Sequence, residues 1–244
     1  MRIRIINPNT TAAMTATIAR AAEEAAAAGT TIEAITSPTG PVPIEGYFDE
    51  AMSLPGLLIE VRKGEAAGAD AHVIACFDDT GLDAARQIAA GPVIGIGEAA
   101  YHAATLIANR FTVITTLARS IPALEHNLMK YGFERRATIR AAEVPVLALE
   151  DEGSDARARI NAEIARALAE DRAEAIVLGC AGMAKLAHDL SVQHGCPVID
   201  GVGAAVKLAE MLVALGHKTS KRGGYETGAP KTITGPLASL LDKS

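Results

Sequence analysis

Tryptophan is absent, and phenylalanine and tyrosine occur only four times each in 244 residues. A chain with so few aromatic faces has little with which to stack bases. Its net charge of −6 also argues against gripping phosphate backbones, so nucleic acid is not an expected partner. No uncharged apolar run of about eighteen residues occurs, so no membrane span is expected. The opening Met1–Ile6 runs directly into Asn7-Pro8-Asn9-Thr10, without an apolar segment or small-residue cleavage site of the secretory kind. The expectation is a soluble cytoplasmic protein whose thiols stay reduced. Cysteine is scarce as well. Cys76, Cys180 and Cys196 are an odd, sparse set that cannot form a disulfide framework, and the lack of a C-x-x-C pair disfavours thiol redox chemistry.

What remains is a chain that is 49% hydrophobic and 21% charged, about a fifth of it alanine. Such a chain builds a core of small aliphatic side chains, suited to helices packed closely on a sheet. Its length implies between one and two domains at roughly 150 residues each. Short β-rich runs alternate with Ala-rich windows. Strands are expected at Ile3–Ile6, Thr31–Thr36, Ala71–Ala75, Pro92–Gly95, Phe111–Thr116, Thr138–Val144, Ala175–Leu178 and Pro197–Ile199. Several are continuous apolar runs, as parallel strands covered on both faces require. Helical windows lie between them, the clearest being Ala156–Glu170, where Ile160, Ile164, Ala167 and Leu168 share one face. Others include Arg119–Tyr131, Met183–His194 and Gly203–Leu215. The alternation predicts an α/β fold with right-handed crossovers.

Residues 71–100 and 175–205 repeat one plan: a strand ending in cysteine, a helix, then Gly- or Cys-Pro-Val-Ile and a glycine-containing turn into an Ala-rich helix. From Cys76 to Pro92 is 16 positions, and from Cys180 to Pro197 is 17. The strands near residues 2 and 111 open the two halves in the same way. The expected architecture is two pseudosymmetric lobes, each a mainly parallel sheet flanked by helices, with an active site between them. The lobes are expected at 1–109 and 110–215, with the last helix, 203–215, packing back on the first lobe. A solvated tail is expected at 216–244, with helical periodicity returning only over 237–241.

In open parallel sheets ligands bind at the carboxyl ends of the strands. Cys76 and Cys180 both lie there, at matching repeat positions, beside amides that a following helix leaves unpaired. Those amides are expected to favour a thiolate and lower its pKa from about 8.5. Cys196 precedes Pro197 at the opposite end of its strand and reads as structural. Two facing thiols suit inversion of a carbon acid. One takes the proton on one face and the other returns a proton on the opposite face. The enolate between these steps needs donors at its oxygen. Amides after Cys76 and Cys180, with Asn9, Thr115 and Thr116, are candidates. Asp78 is a candidate for substrate contact, while Asp79 and Thr80 read as caps of the following helix. Phe77 reads as a pocket wall. The loop Pro38–Pro43 is placed to cover the site, with Ile44 touching the ring.

Ile5-Ile6-Asn7-Pro8-Asn9-Thr10-Thr11 with Met14, Ile44-Glu45-Gly46, Ala75-Cys76-Phe77-Asp78-Asp79 and Leu178-Gly179-Cys180-Ala181-Gly182-Met183 resemble the hydantoin and allantoin racemases of the aspartate/glutamate racemase superfamily. Thr219-Ser220-Lys221 resembles the same group. The resemblance implies a cofactor-independent two-cysteine racemase, and a homo-oligomer. It implies that Cys76 deprotonates the D substrate and Cys180 the L substrate. It also places Asn9, Thr116 and the backbone around Phe77, Asp78, Ala181 and Gly182 near a small-molecule substrate. Hydantoin and allantoin both remain open as that substrate. A malonate decarboxylase would need only one proton donor, so the second cysteine disfavours it. A non-catalytic two-lobed binder is the reading of a different class; it would melt higher with a hydantoin yet leave its optical rotation unchanged.

Two further signals are weak. Gly95-Ile96-Gly97-Glu98-Ala99-Ala100 matches the G-x-G-x-x-A pattern of dinucleotide sites, but no acidic residue follows about 20 positions on, and close helix–sheet packing is the expected reason for its glycines. The histidines are scattered, so no metal is expected, and the resemblance implies no cofactor.

Overall fold

Strands and helices alternate along the whole of a computed structural model that describes residues 1–151, 153–229 and 232–238. The first half holds β1 (Arg2–Asn7), α1 (Ala12–Ala25), β2 (Thr31–Thr36), α2 (Tyr47–Ala66), β3 (Ala71–Ile74), α3 (Leu82–Ile88), β4 (Val93–Gly95) and α4 (Ile96–Ile107). The second holds β5 (Phe111–Thr115), α5 (Ile121–Tyr131), β6 (Ala137–Ala141), α6 (Ala156–Glu170), β7 (Ala175–Leu178), α7 (Ala187–His194), β8 (Val198–Ile199) and α8 (Gly201–Ala214). Each half forms a four-stranded sheet, ordered β2-β1-β3-β4 in one and β6-β5-β7-β8 in the other. Every pairing is parallel. The identical order is the structural form of the sequence repeat. No helix among the described residues is long and apolar enough to cross a membrane.

Small side chains allow the halves to share a core. Ala22 of α1, Ala99, Ala100 and Ala104 of α4, and Ala205 and Ala209 of α8 are fully buried in one cluster with Ile3, Ile5 and Val73 from the first sheet and Val113 and Val177 from the second. α8 packs on α1 and α4 and against β3 and β4, so the last helix of the second half lies on the first sheet. The outer faces are covered separately. Leu57 and Val61 of α2 and Leu82 and Ala85 of α3 cover one, and Ile160, Ile164 and Ala167 of α6 with Leu190 of α7 cover the other. Four of the few aromatics meet at Tyr101. Phe77 stands edge-on to it at 5.4 Å, and Phe111 and Tyr131 lie at 6.0 and 6.2 Å.

The structure departs from the sequence expectations in three places. The helix expected over Met183–His194 begins as a tight 3-10 turn, Ala181–Leu186, and becomes α-helical only at Ala187. The chain at Gly182 is pressed against Leu149, where an added Cβ would meet the leucine at 3.0 Å. A second 3-10 turn, Val146–Glu150, stands where no element was expected. The segment expected as a solvated tail is anchored on the first half as far as Tyr225. Thr219 donates its amide and hydroxyl to Ala90 and Gly91 carbonyls at 3.1 and 2.6 Å, and Tyr225 donates to Asp83 at 2.8 Å. Of the periodicity expected at 237–241, the described residues show one turn, Gly235–Leu237, and the rest lies outside them.

The glycines of the G-x-G-x-x-A turn make room for the loop that carries Cys76. A Cβ at Gly97 would lie 2.2 Å from the Phe77 carbonyl oxygen, and one at Gly95 would lie 2.1 Å from Asp79 Oδ1. Backbone cannot yield as a flexible side chain does. Gly97→Ala is expected to destabilise the fold by about 2 kcal/mol through overpacking. In a chain of this size that lowers Tm by about 4–8 °C, read by calorimetry. An unchanged Tm would show that the loop gives way freely.

Candidate active site

Both sheets deliver their central strand to one cleft in the same way. Beyond β3, the Ala75 amide donates to the Ile6 carbonyl at 2.9 Å, and beyond β7 the Gly179 amide donates to the Ile114 carbonyl at 2.9 Å. Each ladder then ends on a cysteine. Cys76 and Cys180 each open a turn in which the carbonyl accepts an amide three residues on, from Asp79 and Met183 respectively, both at 3.0 Å. The amide two residues on is directed at the sulfur: Asp78 N–H at Cys76 and Gly182 N–H at Cys180.

The cleft between them holds about 430 Å³, part of it open to solvent. Asn9, Ile44, Cys76, Phe77 and Asp78 line it from the first half, and Thr115, Thr116, Cys180 and Ala181 from the second. Gly182 is not part of the lining and stands behind Cys180. Cys196 is also outside it. It packs in the outer core of the second half, its carbonyl accepting from Ser191 at 2.8 Å. Sequence reasoning missed Ser120 and Val146, which also line the cleft. Val146 had a signal, because Pro145-Val146 parallels Pro43-Ile44 in the repeat. Ser120 had none. It reaches the cleft through the turn that leads into α5.

Hydrogen bonds across the two halves hold the rim. Glu45 accepts the Val146 amide at 3.0 Å and pairs with Arg119. Thr17 donates to Glu150 at 3.0 Å. Asn127 of α5 donates to the Asp78 carbonyl at 2.8 Å. The loop before Ile44 is held to Thr10 and Thr11, through the Pro41 and Val42 carbonyls at 3.0 and 2.9 Å. Within the first half, Asn7 donates to Asn9 Oδ1 at 2.8 Å and to Thr15 at 3.0 Å. Asn9 Oδ1 also accepts the Thr11 amide at 2.9 Å. The Asn9 amide nitrogen has only the Met14 thioether, at 3.2 Å, and sulfur is a weak acceptor.

Asp79 and Thr80 do not cap the helix that follows them. The N-cap of α3 is Gly81 and no side chain bonds there. Asp79, with φ 52°, turns instead to α4 and accepts the Gly97 and Glu98 amides at 3.0 and 2.8 Å. It also accepts the Tyr131 hydroxyl of α5 at 2.8 Å. Thr80 donates to Cys76 Sγ at 3.5 Å.

Both thiols are pushed above the usual range, contrary to what the strand–helix junction suggested. Burial pushes Cys76 well above the usual thiol range, helped by the charge of Asp78 and opposed by Thr80 and the Asp78 amide. Burial also pushes Cys180 up to about 12, against the Gly182 amide. Desolvation outweighs one or two amide dipoles in such a cleft. Asp78 is itself pushed up to about 7 by burial, then by Glu50 and Asp79. It is the one charged side chain in the lining, and no cationic group is among those residues. Among the described residues, no three His, Cys, Asp or Glu side chains converge as metal ligands do.

The family description Asp/Glu/Hydantoin racemase matches residues 3–209. The chain is 52% identical to a hydantoin racemase of Rhizobium meliloti, over 96% of this chain and 98% of the relative. It is 46% identical to a hydantoin racemase of Pseudomonas sp. (strain NS671), over 98% and 97%. The solved allantoin racemase from Klebsiella pneumoniae superposes with a TM-score of 0.96 at 49% identity, covering 98% of each chain. A near-complete match at this identity, on a two-lobed fold with one shared cleft, makes the chain a racemase of the Asp/Glu/Hydantoin racemase family.

Proposed function

We propose that the protein racemises 5-substituted hydantoins at the ring carbon, with Cys76 and Cys180 as the two proton-transfer groups. The matched placement of these thiols at the ends of β3 and β7, in one cleft, carries the reading. In one direction a Cys76 thiolate takes the C5 proton and becomes a thiol. The electron pair delocalises into the ring carbonyl as an enolate. The Cys180 thiol then gives its proton to the opposite face and is left as a thiolate. In the other direction the roles exchange, and atoms and charge balance in both. Because both thiols share one proton, they titrate as a coupled pair.

Enolate oxygen stabilisation is assigned to the Phe77 and Ala181 amides, with Asn9, Thr115 and Thr116, because the Asp78 and Gly182 amides serve the sulfurs. These donors are fixed before reaction, so no reorganisation is needed as charge develops. Ile44 and Phe77 form apolar walls for the ring. The lining favours a neutral ring over a free amino acid, because a carboxylate would meet Asp78 and no cation. The high thiol pKa also has a chemical use. A thiolate that is hard to form is a stronger base towards a weak carbon acid.

Allantoin is the second reading, favoured by the superposition on the allantoin racemase and by the Asp78 carboxyl, which can accept from ureido N–H groups.

Loss of optical rotation from a single hydantoin enantiomer tests the reaction. Cys76→Ser and Cys180→Ser are each expected to slow it by about 10²–10⁴-fold in both directions, the range of a lost acid–base group. Deuterium from solvent should enter the inverted carbon. Full rates in both variants would remove the thiols from the mechanism. The pH dependence follows from the raised thiols. The base must be ionised, and below its pKa the thiolate fraction grows about tenfold per pH unit. So kcat/KM should rise with pH at a slope near one between about pH 7 and 9, and a flat profile would contradict a buried thiol base. Substrate choice is read by comparing kcat/KM for allantoin and 5-isopropylhydantoin, with the alkyl hydantoin expected to be preferred. The reverse order would assign the site to allantoin and leave the two-thiol chemistry in place.

A further inference from the structure

The two thiol turns share a backbone frame but differ in the groups that reach each sulfur. Both begin with the same ladder bond, close with the same 3.0 Å turn bond, and aim the second amide at the sulfur. Four residues after Cys76 stands Thr80, whose hydroxyl donates to Cys76 Sγ at 3.5 Å. Four residues after Cys180 stands Ala184, which has no hydroxyl to offer. Thr80 is buried at 4% exposure and its side chain does not cap α3, so the sulfur is the partner that its position serves.

We propose that Thr80 is a positioning residue that orients the Cys76 sulfur and favours its thiolate, making the two proton-transfer groups chemically unequal. The proposal rests on the two-thiol reading above. The physical reason lies in the acceptor. A neutral thiol accepts weakly, whereas a hydrogen bond to an ionised acceptor is roughly twice as strong as a neutral one. The Thr80 bond therefore acts mainly on the anion that does the chemistry. It offsets the unfavourable field of Asp78 and Glu50, which bear on Cys76. Cys180 feels Asp78, Glu150 and Glu45 and has only the Gly182 amide against them.

The inequality has a defined kinetic form. Substrate and product are mirror images of equal free energy, so kcat/KM must stay equal in the two directions whatever residue is changed. An unequal thiol pair can separate only kcat and KM individually.

The test uses Thr80→Val, with Thr80→Ser as the conservative control. Each thiol is labelled with iodoacetamide at pH 8 and read separately by peptide mass spectrometry. Loss of the donor should raise the Cys76 pKa by about one unit. That lowers its thiolate tenfold and raises nucleophilicity about threefold, for a Brønsted slope near 0.5. Cys76 labelling should therefore slow about threefold in Thr80→Val while Cys180 labelling is unchanged, and Thr80→Ser should label like the parent. In racemisation, kcat/KM should fall equally for both enantiomers while their kcat values separate. Parental labelling of Cys76 in Thr80→Val would overturn the proposal. So would equal slowing of both thiols in both variants, which marks a loosened fold. Labelling does not depend on turnover, so it decides Thr80's action on the sulfur even if the cysteine-to-serine variants retain racemisation.

Discussion

The Asp79 carboxylate is where the geometry of the cleft is gathered. It sits one residue beyond Asp78 and three beyond Cys76, in a left-handed conformation unusual for a residue with a side chain. Its oxygens accept two amides at the start of α4 and the hydroxyl of Tyr131 on α5. One buried group thus ties the Cys76 turn to both halves of the molecule. Burial, with the charge of Glu98 behind it, pushes Asp79 up to about 7, so the site retains a group that is poorly solvated when charged. Its three donors offset that cost. Gly95 and Gly97 follow from the same constraint, since the carboxylate and the Phe77 carbonyl occupy the space where their side chains would stand.

The other half of the cleft is held differently. The Cys180 turn has Met183 where the first has Asp79, and among the described residues no carboxylate binds there. The clamp is supplied by the rim, with Glu45 on Val146 and Arg119, and Thr17 on Glu150. Each half therefore contributes a thiol, and each thiol turn or its rim is held by residues from the other half. A cleft built this way buries its thiols. That raises both thiols and strengthens the interactions made by their neighbours. The chemistry fits a substrate that brings no charge of its own.

Much of this was legible in the sequence because period and repeat are local properties. Short β-rich runs, several of them continuously apolar, marked all eight strands, and the matched Cys-x₁₅-Pro and Cys-x₁₆-Pro spacings separated Cys76 and Cys180 from Cys196. The details that failed depend on what lies across space. Asp79 and Thr80 look like caps for α3, since acidic and hydroxyl residues precede a helix there. The carboxylate found the amides of α4, and the hydroxyl found the sulfur. The thiol pKa departs from the sequence expectation for the same reason. The amides that lower it are neighbours in sequence, while the burial that raises it comes from the packing of two lobes.

The sequence by itself determined the two parallel sheets, the pairing of their halves and the thiols that end their central strands, because each follows from side-chain pattern within a few dozen residues. Only the tertiary structure decided that nine of the expected residues line one cleft, that Gly182 is not among them, and that burial raises both thiols. It also decided that Cys76 has a hydroxyl partner and that, among the described residues, Cys180 has none. Each of these depends on desolvation or on contacts between distant segments, and both exist only once the shared core has closed.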